Sequence, residues 1–292
     1  MAFRTPTAAV LAACLLLVAQ AAEAEPALWA AHGPNSTVYL FGTVHVLRPD
    51  TPWRSPKVAA AFARSADLWL ETADGGTDAA AAQSLTLQLG FDPAHPLSKS
   101  IAADDVRRVD DAAKAMGVPT GEAAFEPMRP WLVAIALSVG PMLKAGFDPA
   151  RGVDRQLRAD AVAQSKPIAG FETAAQQVHY FADMPDALQV AYLHHVLDDY
   201  ANGPAVLNGL VDAWAAGDVD ALARLETNAF TESERPLYDT LIRKRNTEWA
   251  DRLAARLQNP GISFVAVGAG HLAGTDAIQG LLQQRGIRVT RE

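Results

Sequence analysis

The chain has 292 residues, with 25 Lys+Arg against 33 Asp+Glu, a net charge of −8, 50% hydrophobic residues and one cysteine. That balance excludes a typical nucleic-acid binder, which needs a basic surface to displace counterions from phosphates, and a single thiol excludes a disulfide scaffold. With 20 Gly and 18 Pro it is neither disordered nor collagen-like, and it is long enough to bury a substantial core.

The first 24 residues read as a secretory signal peptide. Arg4 supplies a positive start, Ala8 to Ala22 is nearly unbroken in apolar character, and Ala22-Glu23-Ala24 has the small-x-small pattern of a cleavage site. Leu11-Ala12-Ala13-Cys14 resembles a lipobox, so lipid attachment at Cys14 is the minor alternative. The expectation is a secreted or periplasmic chain over residues 25–292, free of cysteine and of any further apolar run of membrane-spanning length.

Within 25–292 a single domain is expected. Thr37 to Phe41 (TVYLF) reads as a buried strand, with His32 in a loop before it. Ser55-Pro56 opens a helix, with Ser as the cap and Pro at the first helical position. Leu68-Trp69-Leu70 is a second strand, ending at Glu71. From about 77 to 260 the pattern is mainly helical, broken at Lys166 to Phe171 (KPIAGF), an apolar stretch that ends at Glu172. Trp131, Trp214 and Trp249 fall on apolar helical faces and are assigned to the core. Ile262 to Val267 is a clear strand, Asp276 to Arg285 a short helix closed by Gly286, and Ile287 to Thr290 the last strand. The fold class is therefore α/β (α+β): a central sheet built from N- and C-terminal βαβ halves around a large helical insert.

The two halves share a plan. Each begins with an apolar strand followed by Gly-x-x-His: Gly42-Thr43-Val44-His45 in one, Gly268-Ala269-Gly270-His271 in the other. With the apolar run required ahead of the glycine, chance predicts roughly 0.03 such motifs, and the chain has two. A parallel strand delivers whatever follows its carboxyl end into the crevice where α/β proteins bind ligands, and glycine there permits a close backbone approach. Two histidines from adjacent strand ends, joined by Glu71, compose a recurring set of ligands for a catalytic divalent metal. A metal-free acid–base pair is the other functional reading of the same residues. His32, His95, His179, His194 and His195 are read as structural or surface residues.

These residues carry a family resemblance that extends over nearly all of 25–292. The blocks VYLFGTVHVL, ADLWLE, MRPW (128–131), GVDRQL (152–157), KPIAGFET (166–173), RNTEWADRL (245–253) and VAVGAGHLAGTDAIQGLLQQRGIRV resemble the TraB/GumN group, whose eukaryotic relatives include the Tiki metalloproteases within the wider erythromycin-esterase-like/ChaN-like superfamily. The resemblance implies a divalent-metal-dependent hydrolase of the peptidase or amidase kind, with Mn2+ or Co2+ favoured over Zn2+ and a peptide or small molecule as substrate. In that reading His45, His271 and Glu71 hold the metal, supported by Gly42, Gly268 and Gly270. Glu172 is a ligand, a general base or the cap of the next helix. Arg245, beside Asn246, is an oxyanion or substrate clamp, or a surface partner of Glu248. Asp154 and Arg129 sit in family-like blocks, as site residues or as members of structural ion pairs. A non-catalytic envelope module that holds a ligand in the same crevice, and a metal-free esterase-like hydrolase using His45 as base, are the alternatives.

Overall fold

A computed structural model describes residues 25–73, 77–200, 202–227 and 230–292, so the expected leader and its Cys14 lie outside the described residues. Among these, β1 (Leu28–His32), β2 (Ser36–Thr43), β3 (Asp67–Thr72), β4 (Ile168–Glu172), β5 (Gly261–Gly268) and β6 (Arg288–Arg291) form one sheet, in the order β4-β3-β5-β2-β1-β6. The four strands β4, β3, β5 and β2 run parallel to one another, while β1 is antiparallel to both of its neighbours. The mixed fold expected from the sequence is what the chain adopts, with a strand from each end, β2 and β5, side by side at its centre.

Two strands differ from the reading above. Leu28–His32 is a strand and not a loop, and His32 ends it with Nε2 3.2 Å from the Thr290 hydroxyl of β6. Its five residues are too few and too rich in alanine to show a period. The apolar stretch within the helical insert is the strand β4, which pairs with β3 at the edge of the sheet. In the two strand–helix–strand halves, the second strand does not pair with the first. The chain leaving β2 crosses β5 to reach β3, and the chain leaving β5 crosses β2 and β1 to reach β6.

Helices cover both faces. They are α1 (Pro56–Arg64), α2 (Thr77–Gly90), α3 (Leu97–Ser100), α4 (Ala103–Met116), α5 (Pro130–Lys144), α6 (Val153–Ala163) and α7 (Ala174–Ala182), followed by α8 (Asp186–Tyr200), α9 (Gly203–Ala215), α10 (Val219–Leu222), α11 (Arg235–Tyr238), α12 (Lys244–Arg256) and α13 (Ile278–Gln284). The Ser55 hydroxyl accepts from the Val58 N–H at 3.2 Å and caps α1 as expected, and Gly286 follows α13 at φ 77°.

Alternation along the strands divides the core. Tyr39, Phe41, Phe264 and Ala266 face a layer made by α1, α6 and α9, where Phe62 meets Phe264 edge-on at 5.4 Å. Val38, Leu40, Val265 and Val267 face the opposite layer, where Trp249 and Leu253 of α12 and Ile278 and Leu282 of α13 are buried. Strands buried on both faces read as unbroken apolar runs, which is why β2 and β5 stand out in the sequence. A third cluster joins α4, α5 and α8 inside the insert. No helix among the described residues is long and apolar enough to cross a membrane.

Trp131, Trp214 and Trp249 are all buried, as assigned. Trp214 does more than pack, because its indole N–H donates to the Gly42 carbonyl at 2.8 Å, just before the first Gly-x-x-His turn leaves the sheet. Trp214→Phe keeps most of the apolar volume and strands that buried carbonyl, so it is expected to lower unfolding free energy by about 1–3 kcal/mol, measured by urea denaturation.

Candidate functional site

Four parallel strands end along one edge of the sheet, and each contributes to a single crevice. Read across that edge, β4 ends at Glu172, β3 carries Glu71, β5 runs into the turn bearing His271, and β2 runs into the loop bearing His45. In the β2–β5 ladder Gly42 pairs with Val267 and Thr43 with Gly268, so the two motifs leave the sheet one residue out of step. They touch closely: a Cβ on Gly42 would lie 3.1 Å from the Ala269 Cα. Neither Gly42 nor Gly268 has a positive φ. Glycine is needed there for space and not for a left-handed turn.

Gly268 marks the point of convergence. A Cβ at that position would sit 3.1 Å from Glu71 Oε1, 3.6 Å from the His271 ring and 3.9 Å from His45 Nε2. The hydrogen of glycine therefore leaves open a small cradle bounded by the residues the motif reading brought together. Gly270 is buried within the 3₁₀ turn Ala269–Leu272 that carries His271 inward.

The environment of His271 fixes its tautomer. The Asn246 amide nitrogen donates to the carbonyls of His271 (3.2 Å) and Asp276 (2.8 Å), so its oxygen faces the ring. His271 Nδ1, 2.6 Å from that oxygen, must carry the proton. Its Nε2 lone pair then points toward Arg245 Nη1 at 3.2 Å and Glu71 Oε1 at 3.7 Å. Burial drives the ring pKa down to about 3, because desolvation and the nearby Arg245 outweigh the attraction of Glu71. His271 is a neutral base at physiological pH.

Glu71 is the carboxylate at the crevice wall. Burial opposes its ionisation, but His271, Arg245, His45 and the Gly268 N–H hold it low, at about 2. One oxygen accepts from the Gly268 N–H at 2.8 Å, and the other from Arg245 Nη2 (2.8 Å) and Gln177 (3.1 Å). With the His271 ring neutral, Arg245 is the permanent charge that keeps the group ionised.

Arg245 is buried, not surface-paired with Glu248. It enters α12 directly after a π-helical turn, Asp239–Arg243, whose Leu241 carbonyl accepts from its Nη1 at 2.8 Å. The remaining N–H groups reach Glu172 (2.7 and 2.9 Å), Glu71 and His271, so all five donors of the guanidinium are committed. The indole of Trp249 lies 4.7 Å from the guanidinium carbon and the Tyr180 ring 5.4 Å. Arg245 thus locks the carboxylates in place and has no N–H to spare for a substrate oxyanion.

Glu172 sits behind Glu71. Besides Arg245, its oxygens accept from the Trp249 indole (3.1 Å), the Tyr180 hydroxyl (3.3 Å) and Gln177 (3.3 Å). The Tyr180 hydroxyl is pushed up to about 12 by burial and by this carboxylate. So many donors make Glu172 an anchor and a poor general base. Nor does it cap the next helix, since Thr173 and Gln176 form a capping box there. Trp249, Tyr180 and Gln177 were not among the expected site residues, although Trp249 lies four residues after Arg245 and hence on the same helical face.

His45 is the exposed member, with its side chain 66% accessible and its Nδ1 3.4 Å from Asp154 at the start of α6. Arg129 is not brought to the crevice. It joins the start of α5 to Asp186 at the start of α8, at 2.7 Å. The crevice has a volume of about 270 Å³ and is lined mainly by polar residues, among them Arg158 and the buried Thr43, whose hydroxyl has no hydrogen-bond partner among the described residues. Arg158 pins the end of β3 through the Thr72 and Ala73 carbonyls.

No three His, Cys, Asp or Glu side chains among the described residues stand in metal-holding geometry. The donor chemistry nevertheless fits a divalent cation: an ionised carboxylate, a buried neutral imidazole whose unprotonated Nε2 would exchange the Arg245 N–H for the cation, and an exposed second imidazole, around a cradle that a side chain at Gly268 would fill.

Fold and site together define an α+β protein with a histidine–carboxylate–arginine crevice at its parallel strand ends. Residues 27–291 match the model of the TraB/PrgY/gumN family, and the chain belongs to that family. It is similar to "Uncharacterized protein YbaP" of Escherichia coli (strain K12), at 26% identity over 249 residues, covering 85% of this chain and 89% of the relative. It is similar to the same degree to the YbaP protein of Shigella flexneri. No solved structure matches the chain.

Proposed function

We propose that the protein is an exported, divalent-metal-dependent hydrolase acting on a peptide or other amide bond, with His45, His271 and Glu71 as the metal ligands. The observation that carries this reading is the convergence of both Gly-x-x-His turns and Glu71 on the cradle at Gly268. A divalent cation there, Mn2+ or Co2+ in preference to Zn2+, supplies Lewis acidity toward a carbonyl and toward water. Asn246 holds the His271 proton on Nδ1 and so keeps Nε2 unprotonated. Arg245 keeps Glu71 ionised and directed at the crevice, and Glu172 holds Arg245. His45, the solvent-facing member with Asp154 beside it, closes the set from the open side. Glu71 is in this reading the carboxylate that works at the crevice, and Glu172 the one that positions.

Calorimetric titration of the purified protein with Mn2+, Co2+ and Zn2+, beside a peptide-library cleavage assay, tests the proposal. His271→Ala is expected to weaken divalent-ion binding by at least about 10–100-fold, and His45→Ala to weaken it by a smaller factor. Unchanged affinity in both variants overturns the ligand assignment. Tight binding with no product from any library would instead assign the crevice to a ligand-holding module.

A further inference from the structure

The crevice at the strand ends has two sides, and their polar groups are spent to different degrees. Toward α12, Arg245 commits all five donors, and Asn246, Trp249 and Tyr180 are each bonded. The other side lies under α6. Val153, Leu157 and Ala161 recur at every fourth position, are fully buried, and seat that helix on the sheet face carrying Phe41, Leu70 and Ala266. One step further on in the first two turns stand Asp154 and Arg158, and both line the crevice.

These two side chains turn to different partners. Asp154 faces His45 Nδ1 at 3.4 Å, while Arg158 donates from Nη2 to the Thr72 carbonyl (2.6 Å) and from Nη1 to the Ala73 carbonyl (2.8 Å). Those carbonyls follow directly on Glu71, so the guanidinium is fastened beside the carboxylate that faces the cradle. Three of its five N–H groups, on Nε and on each terminal nitrogen, have no partner among the described residues. A half-buried guanidinium held in place by backbone and still rich in donors is preorganised to take a carboxylate through two parallel bonds.

Thr43 is an independent sign of a missing partner. It lies two residues past Phe41 on the same face of β2, opposite Gly268 in the ladder, and is 2% exposed. Its hydroxyl, unpartnered among the described residues, costs free energy that a ligand oxygen on the crevice floor would relieve.

Charge decides the kind of ligand. Glu71 and Glu172 share Arg245, and Asp154 and Arg158 complete a set of three carboxylates and two guanidiniums. With both histidines neutral the set carries one negative charge in excess, which suits a cation. With a divalent ion held as proposed above it carries one positive charge in excess, which a single carboxylate balances. The volume of about 270 Å³ is just below the range of whole small-molecule sites, so the crevice takes one end of a substrate.

We propose that Arg158 is a substrate-binding residue that clamps a carboxylate, so that the crevice acts on peptides or amides carrying an acid group close to the scissile bond. The substrate class rests on the metal-hydrolase reading, whereas the clamp itself does not require it.

Calorimetric titration of the Mn2+-loaded protein with N-acetyl-alanyl-alanine is expected to show binding at least about tenfold tighter than its C-terminal amide. N-acetyl-glutamyl-alaninamide, which carries its only carboxylate on a side chain, distinguishes an acidic residue from a free terminus. In Arg158→Gln the acid-over-amide ratio should fall to about one, and Arg158→Lys should keep part of it. Because the ratio is read within each folded protein, a loss of stability does not move it, and Arg158→Lys serves alone if Arg158→Gln fails to fold. Equal binding of both acids and the amide by the parent, or an undiminished ratio in Arg158→Gln, overturns the clamp. A preference absent from the parent and gained in Asp74→Asn would also overturn it, by assigning Arg158 to a carboxylate of the chain itself. If Mn2+ does not bind, the metal assignment falls, and the ratio in the metal-free protein decides the clamp by itself.

Discussion

Arg245→Met is expected to lower the melting temperature at pH 7 by roughly 6–20 °C, the equivalent of about 3–5 kcal/mol for a chain of this size. The reason lies in what remains. Glu71 and Glu172 share one guanidinium, each within 2.9 Å of it, and both carboxylates are largely removed from water. Without the cation, two like charges face each other in a medium that screens poorly, and Trp249 and Tyr180 lose the plane packed between them. Arg245→Lys should recover only part of the loss, because a point charge cannot span both carboxylates as the planar fork does.

The acid side of the melting profile is diagnostic. In Arg245→Met the folded carboxylates bind protons more tightly than the unfolded ones, so the deficit should shrink as the pH falls from 7 toward 5. Arg245→Met combined with Glu172→Gln should melt above Arg245→Met alone at pH 7. A single variant that melts within a degree or two of the parent at pH 7 would mean that the three groups are not an ionised network.

The second large effect is an acid weakness of the metal-free protein. His271 titrates at about 3 when folded and near 6.5 when unfolded, and Glu71 at about 2 against an ordinary 4.5. Both folded values are depressed, so both groups contribute stability that is complete above the unfolded pKa and lost as pH falls toward the folded one. The loss should begin near pH 6.5, where the unfolded chain takes up a proton that the buried ring refuses. It should steepen below about 4.5 as Glu71 joins. Between pH 7 and pH 4 the His271 contribution alone is roughly 3 kcal/mol, on the order of a third of a domain's stability. Urea denaturation at the two pH values measures it, and His271→Gln removes most of the difference. A parent and a His271→Gln protein with equal pH dependence would show that the ring is not held neutral.

The sequence exposed the parts of this site that lie on strands. β2 and β5 are buried on both faces, so each appears as an apolar run, and a histidine three residues past such a run is conspicuous. Glu71 and Glu172 were visible for the same reason, each at the end of a short apolar stretch. Which carboxylate faces the crevice was not legible, since it depends on α12 being laid across the ends of β3 and β4. Arg245 is 174 residues from Glu71 in the chain, and no local pattern announces that all five of its donors turn inward. For Arg129 the sequence left two readings open, a site residue or a member of a structural ion pair, and its pairing with Asp186 in the helical insert is the second of them. Strand β1 escaped notice because Leu28–His32 is short and carries two alanines among its five residues, leaving its pairing with β2 and β6 to define it.

The strand order has a consequence for how the molecule comes into being. β5 lies between β3 and β2, yet those two strands are made early in synthesis and β5 nearly last. Until residues 261–268 emerge, β2 and β3 have no common neighbour, and their apolar edges wait unpaired through the whole helical insert. Assembly of the sheet is therefore dominated by contacts between distant parts of the chain, which places it among slow-folding topologies. This late strand is followed at once by the turn bearing His271, so the step that joins β3 to β2 is the step that completes the crevice. A nascent or truncated chain lacking β5 would have neither, and its exposed strand edges would be open to whatever pairs with them first.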